Sequence, residues 1–598
     1  MTEGYMVETL PQLLLNTVHS FPKEDLLLYK AEGKYHPIST QQVFETIRYF
    51  SLGLKELGLS REDKLILLAE NGPKWVMVDL ATMSQGGITV PIYTSLTPEQ
   101  ILYIVDNSDA KLLVCSSPEL WGKIVAIKDK LKKITKYIVF FDLRGSDILT
   151  FNDVLELGKK TDEKNPNLFK EIALSITPED IASIIYTSGT TGVPKGVMLT
   201  HRNFVSNVTT CAPLFQISEK DTVLSFLPLS HVLERMVVFC YLYKGASIAF
   251  AESVETVAEN LLEIRPHIMV SVPRVFEKIY ARVMDNVLES SPLKRKIFFW
   301  ALKIGRKAAQ YRLAKKPLPR GLRMRHNLAH KLVFSKILER TGGRVRFFVS
   351  GGAPLSPDIA EFFYAIGLVI LEGYGLTETS PVVSVNTFDA IKFGTVGKPL
   401  PGVEVKIAED GEILVRGPNV MKGYYKMEAE TQEAFADGWF HTGDIGFLDE
   451  EGYLVITDRK KDLIVTAGGK NVAPQPIENM IKTNPYISNV VVIGDKRKFV
   501  SALVVPEFEK LEEYARFNNI PFQSRKDLVN NEEIKRFVLA EIDRATPSLA
   551  SYEKIKKIVL LEREFELEKG EITPTLKVRR RIIEEKYKDL IDALYRED

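Results

Sequence analysis

The sequence predicts an α/β fold: a large N-terminal domain of βαβ-type sheets with a small antiparallel β subdomain, followed by a small α+β C-terminal domain on a hinge. Three observations predict it. Between residues 23 and 140 short apolar runs alternate with helical stretches, as βαβ units do. From Gly394 to Tyr453 the pattern changes to period-two runs separated by glycine. A highly charged link at 458–463 then leads into a last stretch that mixes strands and helices. At 598 residues the chain is too long for one core. We therefore expect a 1–457 domain, with 394–457 as its β subdomain, and a mobile 458–598 domain.

Bulk composition excludes more than it selects. Hydrophobic residues make up 45% and charged residues 26%, which is ordinary globular usage. A net charge of +1 gives no reason to expect nucleic acid. Cys115, Cys211 and Cys240 lie far apart without metal-ligand spacing, so they read as reduced thiols of a cytoplasmic protein. The start of the chain lacks a secretory pattern, and no apolar run approaches the roughly 18–20 residues of a membrane span.

Taken in order, Lys64–Leu68 reads as a buried strand, 73–85 as an amphipathic helix, Ile88–Ile92 as the next strand, and 111–115 and 137–140 as two more. A further β-prone run, Ala182 to Ile185, opens into Tyr186-Thr187-Ser188-Gly189-Thr190-Thr191-Gly192-Val193-Pro194-Lys195-Gly196. Three glycines free backbone N–H groups to face an anion, and Thr187, Ser188, Thr190, Thr191 and Lys195 add side-chain donors. That combination suits a triphosphate. It is not a P-loop, because Lys195 follows Pro194 and precedes Gly196, where that motif needs Gly-Lys-Ser/Thr.

Thr200 to Asn203 reads as a helix start, and Pro228-Leu229-Ser230-His231-Val232-Leu233-Glu234-Arg235 places a histidine beside an apolar run. Residues 294–340 hold many Lys and Arg and a single acid, Glu339, interleaved with Phe298, Phe299 and Trp300. A basic helix with such a face can lie on an anionic membrane, and it can equally be a solvated helix packed through its apolar side.

Two strands then end in glycine: Arg346 to Ser350 runs into Gly351-Gly352-Ala353-Pro354, and Leu368 to Leu371 into Glu372-Gly373-Tyr374-Gly375-Leu376-Thr377-Glu378. Backbone without side chains at a strand end can lie against a purine. Further on, Thr442-Gly443-Asp444 sets a carboxylate after a tight turn, suited to vicinal hydroxyls. The link begins Asp458-Arg459, the final domain opens with Thr466-Ala467-Gly468-Gly469-Lys470, and the tail carries Ile572-Thr573-Pro574-Thr575-Leu576-Lys577.

These motifs, in this order, resemble the adenylate-forming superfamily of acyl-CoA synthetases, luciferases and peptide-synthetase adenylation domains; the His231 segment and the basic insert at 294–340 are similar to long-chain fatty acyl-CoA synthetases. The resemblance implies phosphate contacts from Thr187, Ser188, Gly189, Thr190, Thr191, Gly192, Lys195 and Thr377. It implies an adenine and ribose site of Gly351, Gly352, Ala353, Pro354, Tyr374, Gly375, Asp444 and Arg459. It implies Mg²⁺ on Glu378 and a hinge at Asp458. Gly468, Gly469 and Lys470 would face coenzyme A, His231 would lie by the substrate carboxylate, and Lys577 would enter the site for adenylation. The commonest family form has glycine before that lysine; here Leu576 stands there.

The expectation is thus ATP-dependent activation of a fatty acid, long-chain by resemblance, to acyl-AMP and then to acyl-CoA. Two other readings stay open: an acyl-AMP ligase serving a carrier protein, and a non-catalytic nucleotide- or lipid-binding protein. Membrane contact through 294–340 is a further expectation. Acyl-chain preference, oligomeric state and pathway stay open.

Overall fold

Two large sheets with helices packed between and around them occupy most of the chain. The structure is a computed structural model that describes residues 6–187, 193–567, 569–573 and 577–596. The eight-stranded sheet runs parallel from Ile181–Thr187 through Ile88–Ile92, Lys64–Leu68, Leu112–Cys115 and Lys136–Val139 to Ile148–Thr150. The nine-stranded sheet is parallel across its centre, in the order Val369–Gly375, Phe347–Ser350, Ile268–Ser271, Thr222–Ser225, Ser247–Phe250 and Leu27–Ala31. The central strands are buried along nearly their whole length, as a parallel sheet covered on both faces requires.

Antiparallel strands Glu404–Ile407, Glu412–Arg416, Phe435–Ala436, Trp439–Leu448 and Leu454–Arg459 make the smaller sheet. Not all of 394–457 belongs to it: Lys398–Pro399 joins the nine-stranded sheet and Gly423–Tyr424 the eight-stranded one. The final stretch is α+β, with strands Ile487–Ile493, Ser501–Pro506 and Lys557–Leu560 packed against helices such as Pro474–Ile481 and Glu532–Ala545. Its buried core runs from Ile464 to Ile591, and the cores of the large sheets end at Leu454.

Several elements differ from the sequence reading, each for a visible reason. Helix Pro73–Ser84 is buried on every face but for Lys74, because it lies among packed helices; it is not amphipathic. The basic segment is not one helix but Pro292–Leu313 and Arg320–Ala329, broken by a turn with Pro317 and Pro319, then a π-helical turn at His330–Phe334. Strand Val369–Gly375 extends through the Gly-Tyr-Gly stretch. Leu454–Arg459 takes in Asp458 and Arg459, so the charged link begins after them. Among the described residues no helix is long and apolar enough to cross a membrane.

Candidate active site

One cleft of about 2590 Å³ opens where the C-terminal ends of the central strands meet the last domain. Thr187, Lys195, His231, Gly351, Gly352, Ala353, Pro354, Tyr374, Gly375, Thr377, Glu378, Asp444, Asp458, Arg459 and Lys577 all line it. Ser188, Gly189, Thr190, Thr191 and Gly192 lie outside the described residues. Gly468, Gly469 and Lys470 are exposed and are not part of the cleft wall.

Strand Ile181–Thr187 returns as Lys195–Thr200, with Thr187 opposite Lys195, so the Gly/Thr-rich stretch joins two antiparallel strands. The Lys195 ammonium sits 4.8 Å from the centre of the Tyr424 ring. The Tyr424 hydroxyl donates to Glu378 Oε1 at 3.0 Å, and burial pushes the Glu378 carboxyl above its usual range.

Gly352 takes φ +84°, and a side chain there would point towards Lys577, whose Cε is 3.8 Å from the position of a Cβ. A Cβ on Gly375 would come within 1.8 Å of the Pro381 carbonyl oxygen, so the backbone crossing itself demands glycine. Behind this turn Glu372 is buried and accepts from Leu355 N at 3.0 Å; burial lifts its carboxyl to about 8. It ties the two Gly-rich strand ends together.

The Asp444 carboxylate is buried and already oriented. Its Oδ2 accepts from the Tyr374 hydroxyl at 2.6 Å, and its Oδ1 lies 3.1 Å from Arg459 Nε. Each carboxylate oxygen has a second acceptor direction left for a ligand. Glu412 props the preceding turn, accepting from Gly443 N at 2.9 Å while pairing with Lys460 at 3.0 Å. Asp458 is also buried, accepting from Arg459 N at 2.7 Å and Gln475 N at 3.1 Å; burial raises it to about 6.

His231 is the N-cap of helix Val232–Tyr243, and its Nδ1 accepts from Leu233 N at 3.2 Å. That bond places the ring proton on Nε2. Burial, with the Lys577 charge nearby, holds the imidazole down at about 3, so His231 is a neutral donor and not a cation.

The Lys577 N–H donates to Thr573 Oγ1 at 3.0 Å and its carbonyl accepts from Thr573 N at 2.8 Å. Arg580 anchors the adjoining helix start, donating to the Val492 carbonyl at 2.5 Å and pairing with Glu478. Burial, with Arg459 nearby, brings the Lys577 ammonium down to about 8.

A family model for the AMP-binding enzyme matches residues 16–425, and one for the AMP-binding enzyme C-terminal domain matches 461–598. The chain belongs to the AMP-binding enzyme family. As a member of it, the chain is 34% identical over 597 residues to long-chain-fatty-acid–CoA ligase FadD15 of Mycobacterium bovis, covering 97% of this chain and 96% of that one. It is 31% identical to human long-chain-fatty-acid–CoA ligase ACSBG2, covering 98% and 92%. The crystal structure of ATP-bound MatB from Rhodopseudomonas palustris matches with a TM-score of 0.69 at 25% identity, over 98% of this chain and all of that one.

Reading the sequence missed several residues of this AMP-binding enzyme. Glu372 and Glu412 carried a signal: each is an acid inside or at the end of an apolar strand run, where burial without a purpose is costly. The apolar wall carried none. Cys211, Met236, Cys240, Ile268, Val270 and Val349 line the same cleft, yet in sequence they look like any core residues.

Proposed function

We propose that this enzyme joins a long-chain fatty acid to coenzyme A in two steps at one cleft, using ATP. The observation that carries the reading is that one cleft is lined both by Lys577, Lys195 and Asp444 and by buried apolar side chains such as Met236, Ile268, Val270 and Val349. A fatty acyl adenylate has those two halves. The relatives' names agree with it.

Hydroxide is too poor a leaving group for a thiol to displace from a carboxylate, so activation comes first. The carboxylate attacks the α-phosphorus of ATP, forming acyl-AMP and releasing pyrophosphate. Both partners are anionic, so the protein's work is alignment and charge cancellation. Lys577 and Lys195 supply positive charge, the latter with Thr187 and residues 188–192 on the outer phosphates. Thr377 and His231 Nε2 donate to the α-phosphate and the substrate carboxylate. Gly351, Gly352, Ala353, Pro354 and Gly375 leave a flat slot for adenine against Tyr374, and Asp444 with Arg459 takes the ribose.

A magnesium ion fits Glu378. Its Oε1 accepts from Tyr424, while among the described residues no group of three acidic, His or Cys side chains stands ready to hold a metal. One carboxylate plus phosphate and water oxygens is the usual magnesium set, and the ion would neutralise phosphate charge.

In the second step the thiol of coenzyme A attacks the acyl carbon and AMP leaves. For this we propose that 458–598 turns about Asp458 against 1–457, withdrawing Lys577 and bringing Gly468, Gly469 and Lys470 to the cleft. The 294–340 segment is proposed as a peripheral membrane contact for a cytoplasmic enzyme: Phe299, Leu313, Met324 and Leu328 are exposed among exposed Lys296, Lys303, Lys307 and Arg323. Neutralising Lys303, Arg306 and Lys307 should reduce flotation with anionic liposomes, and unchanged flotation would remove that contact.

An AMP-release assay with ATP, Mg²⁺ and saturated acids of graded length tests the whole reading. Release that requires coenzyme A and favours long acids is expected. Acid-dependent pyrophosphate release indifferent to coenzyme A would instead mark an acyl-AMP ligase, and no nucleotide turnover a binding protein.

A further inference from the structure

The apolar half of the cleft has a direction and an end. Ile268 and Val270 on one strand face Phe347 and Val349 on the next, in direct register, so alternate residues of two parallel strands form one wall. The opposite wall is helical: Met236, Val237, Cys240 and Tyr241 from helix Val232–Tyr243, and Cys211 from helix His201–Leu214. Both the strands and helix Val232–Tyr243 have one end at the reacting groups, since Gly351 follows Phe347–Ser350 and His231 caps the helix.

Two rulers therefore measure the same channel. From His231 to Tyr241 an α-helix climbs about 15 Å. From Gly351 back to Phe347 a strand covers roughly 13 Å. An extended carbon chain with bonds near 1.5 Å advances about 1.3 Å per carbon.

At the far end the Phe215 and Phe347 rings stack with centroids 5.9 Å apart and planes 17° apart. Phe347 is backed edge-on by Phe388 at 5.1 Å, so it has nowhere to go. Beyond the stack the surroundings turn polar. Arg346 lies 5.5 Å over the Phe347 ring and donates to Asp221 Oδ2 at 2.8 Å and to the Gln216 carbonyl at 3.1 Å. A methyl terminus gains nothing by pushing into those bonds.

We infer that the Phe215–Phe347 stack is the floor of the acyl channel, and that Phe215 sets the longest saturated chain accepted in extended form, at roughly twelve carbons. Phe215 is the specificity-determining member because it stands at the C-terminal cap of its helix, with Phe347 held from behind. Longer acids must bend or displace its ring. The inference rests on reading this cleft as a fatty acid site.

The test is the AMP-release assay on the full chain with acids of eight to eighteen carbons, comparing wild type, Phe215→Ala and Cys211→Phe. Phe215→Ala should raise the hexadecanoate-to-dodecanoate ratio of kcat/KM at least tenfold. Cys211→Phe puts a ring one helical turn nearer the reacting groups and should lower the dodecanoate-to-octanoate ratio at least tenfold; it decides the matter by itself if Phe215→Ala does not fold. Ratios within twofold of wild type, in folded variants that still turn over octanoate, overturn the floor and leave the ligase reading standing. A wild type that releases AMP with none of these acids overturns both.

Discussion

Two arginine–aspartate pairs show why charge alone does not mark a site. Arg235 and Asp79 are almost wholly buried, with Arg235 Nε 2.8 Å from Asp79 Oδ2 and Nη1 2.6 Å from Ser183 Oγ. The Trp75, Phe204 and Phe239 rings surround the guanidinium. Arg459 and Asp444 make a similar pair at 3.1 Å, but on the wall of the cleft, with the Tyr374 hydroxyl on the same carboxylate. The first pair is buried and fastens helices Pro73–Ser84 and Val232–Tyr243 to strand Ile181–Thr187. The second keeps acceptor directions towards open space, which is what a ligand needs. The sequence motif around His231 holds one residue of each kind: His231 lines the cleft, while Arg235, one helical turn later, is sealed in the core.

The largest expected effect breaks the first pair. Arg235→Ala should cost roughly 3–5 kcal/mol, since it strands a buried carboxylate, and denaturant melts should show it. Arg459→Ala should leave the melt nearly unchanged and raise the KM for ATP. Equal destabilisation by both would erase the distinction.

Next is the carboxylate itself. If Asp444 holds the ribose, wild type should prefer ATP over 2′-deoxy-ATP by roughly 10–100-fold, the worth of a charged hydrogen bond. Asp444→Asn should lose most of that preference. Retained discrimination would place the ribose elsewhere.

The third effect is a pH limb. With its ordinary value of 10.5 lowered to about 8, Lys577 is an ammonium below that pH and neutral above it. The kcat/KM for acyl-AMP formation should fall about tenfold per unit above pH 8. Stability runs the other way: between these values the unfolded chain binds more protons, so this residue's contribution to stability rises with pH. Lys577→Arg should abolish the falling limb whatever its absolute rate, and an unchanged limb would assign the titration to another group.

Much of this was legible in the sequence, and the limits follow from the physics. The buried strands Lys64–Leu68 and Ile88–Ile92 were, because continuous apolar runs of that length have few other uses. The helix start at Thr200 was, because its side chain accepts from Asn203 N as an N-cap should. The reading of helix Pro73–Ser84 as amphipathic failed because tertiary neighbours covered both of its sides. The cleft's polar wall was legible only as ordered motifs that resemble a family: taken singly, Lys577 in a basic tail reads as solvated and Gly373-Tyr374-Gly375 as a turn. What could not be read was their meeting. Arg459 reaches Asp444 across one hairpin, but the Asp444–Tyr374 contact joins segments far apart in the chain. The acyl wall is drawn from helices and strands between Cys211 and Val349, each residue indistinguishable from core until it is seen to line the cleft.

At the centre of the proposed mechanism, the last domain lends Lys577 to adenylation and to nothing else. The most direct test measures the two half-reactions of Lys577→Ala separately: acyl-AMP formation from acid and ATP, and thioester formation from supplied acyl-AMP and coenzyme A. Acyl-AMP formation should fall by roughly a hundredfold or more, on the scale of removing one charge-stabilising donor, while thioester formation stays within a few-fold of wild type. Equal loss of both halves would contradict this division of labour.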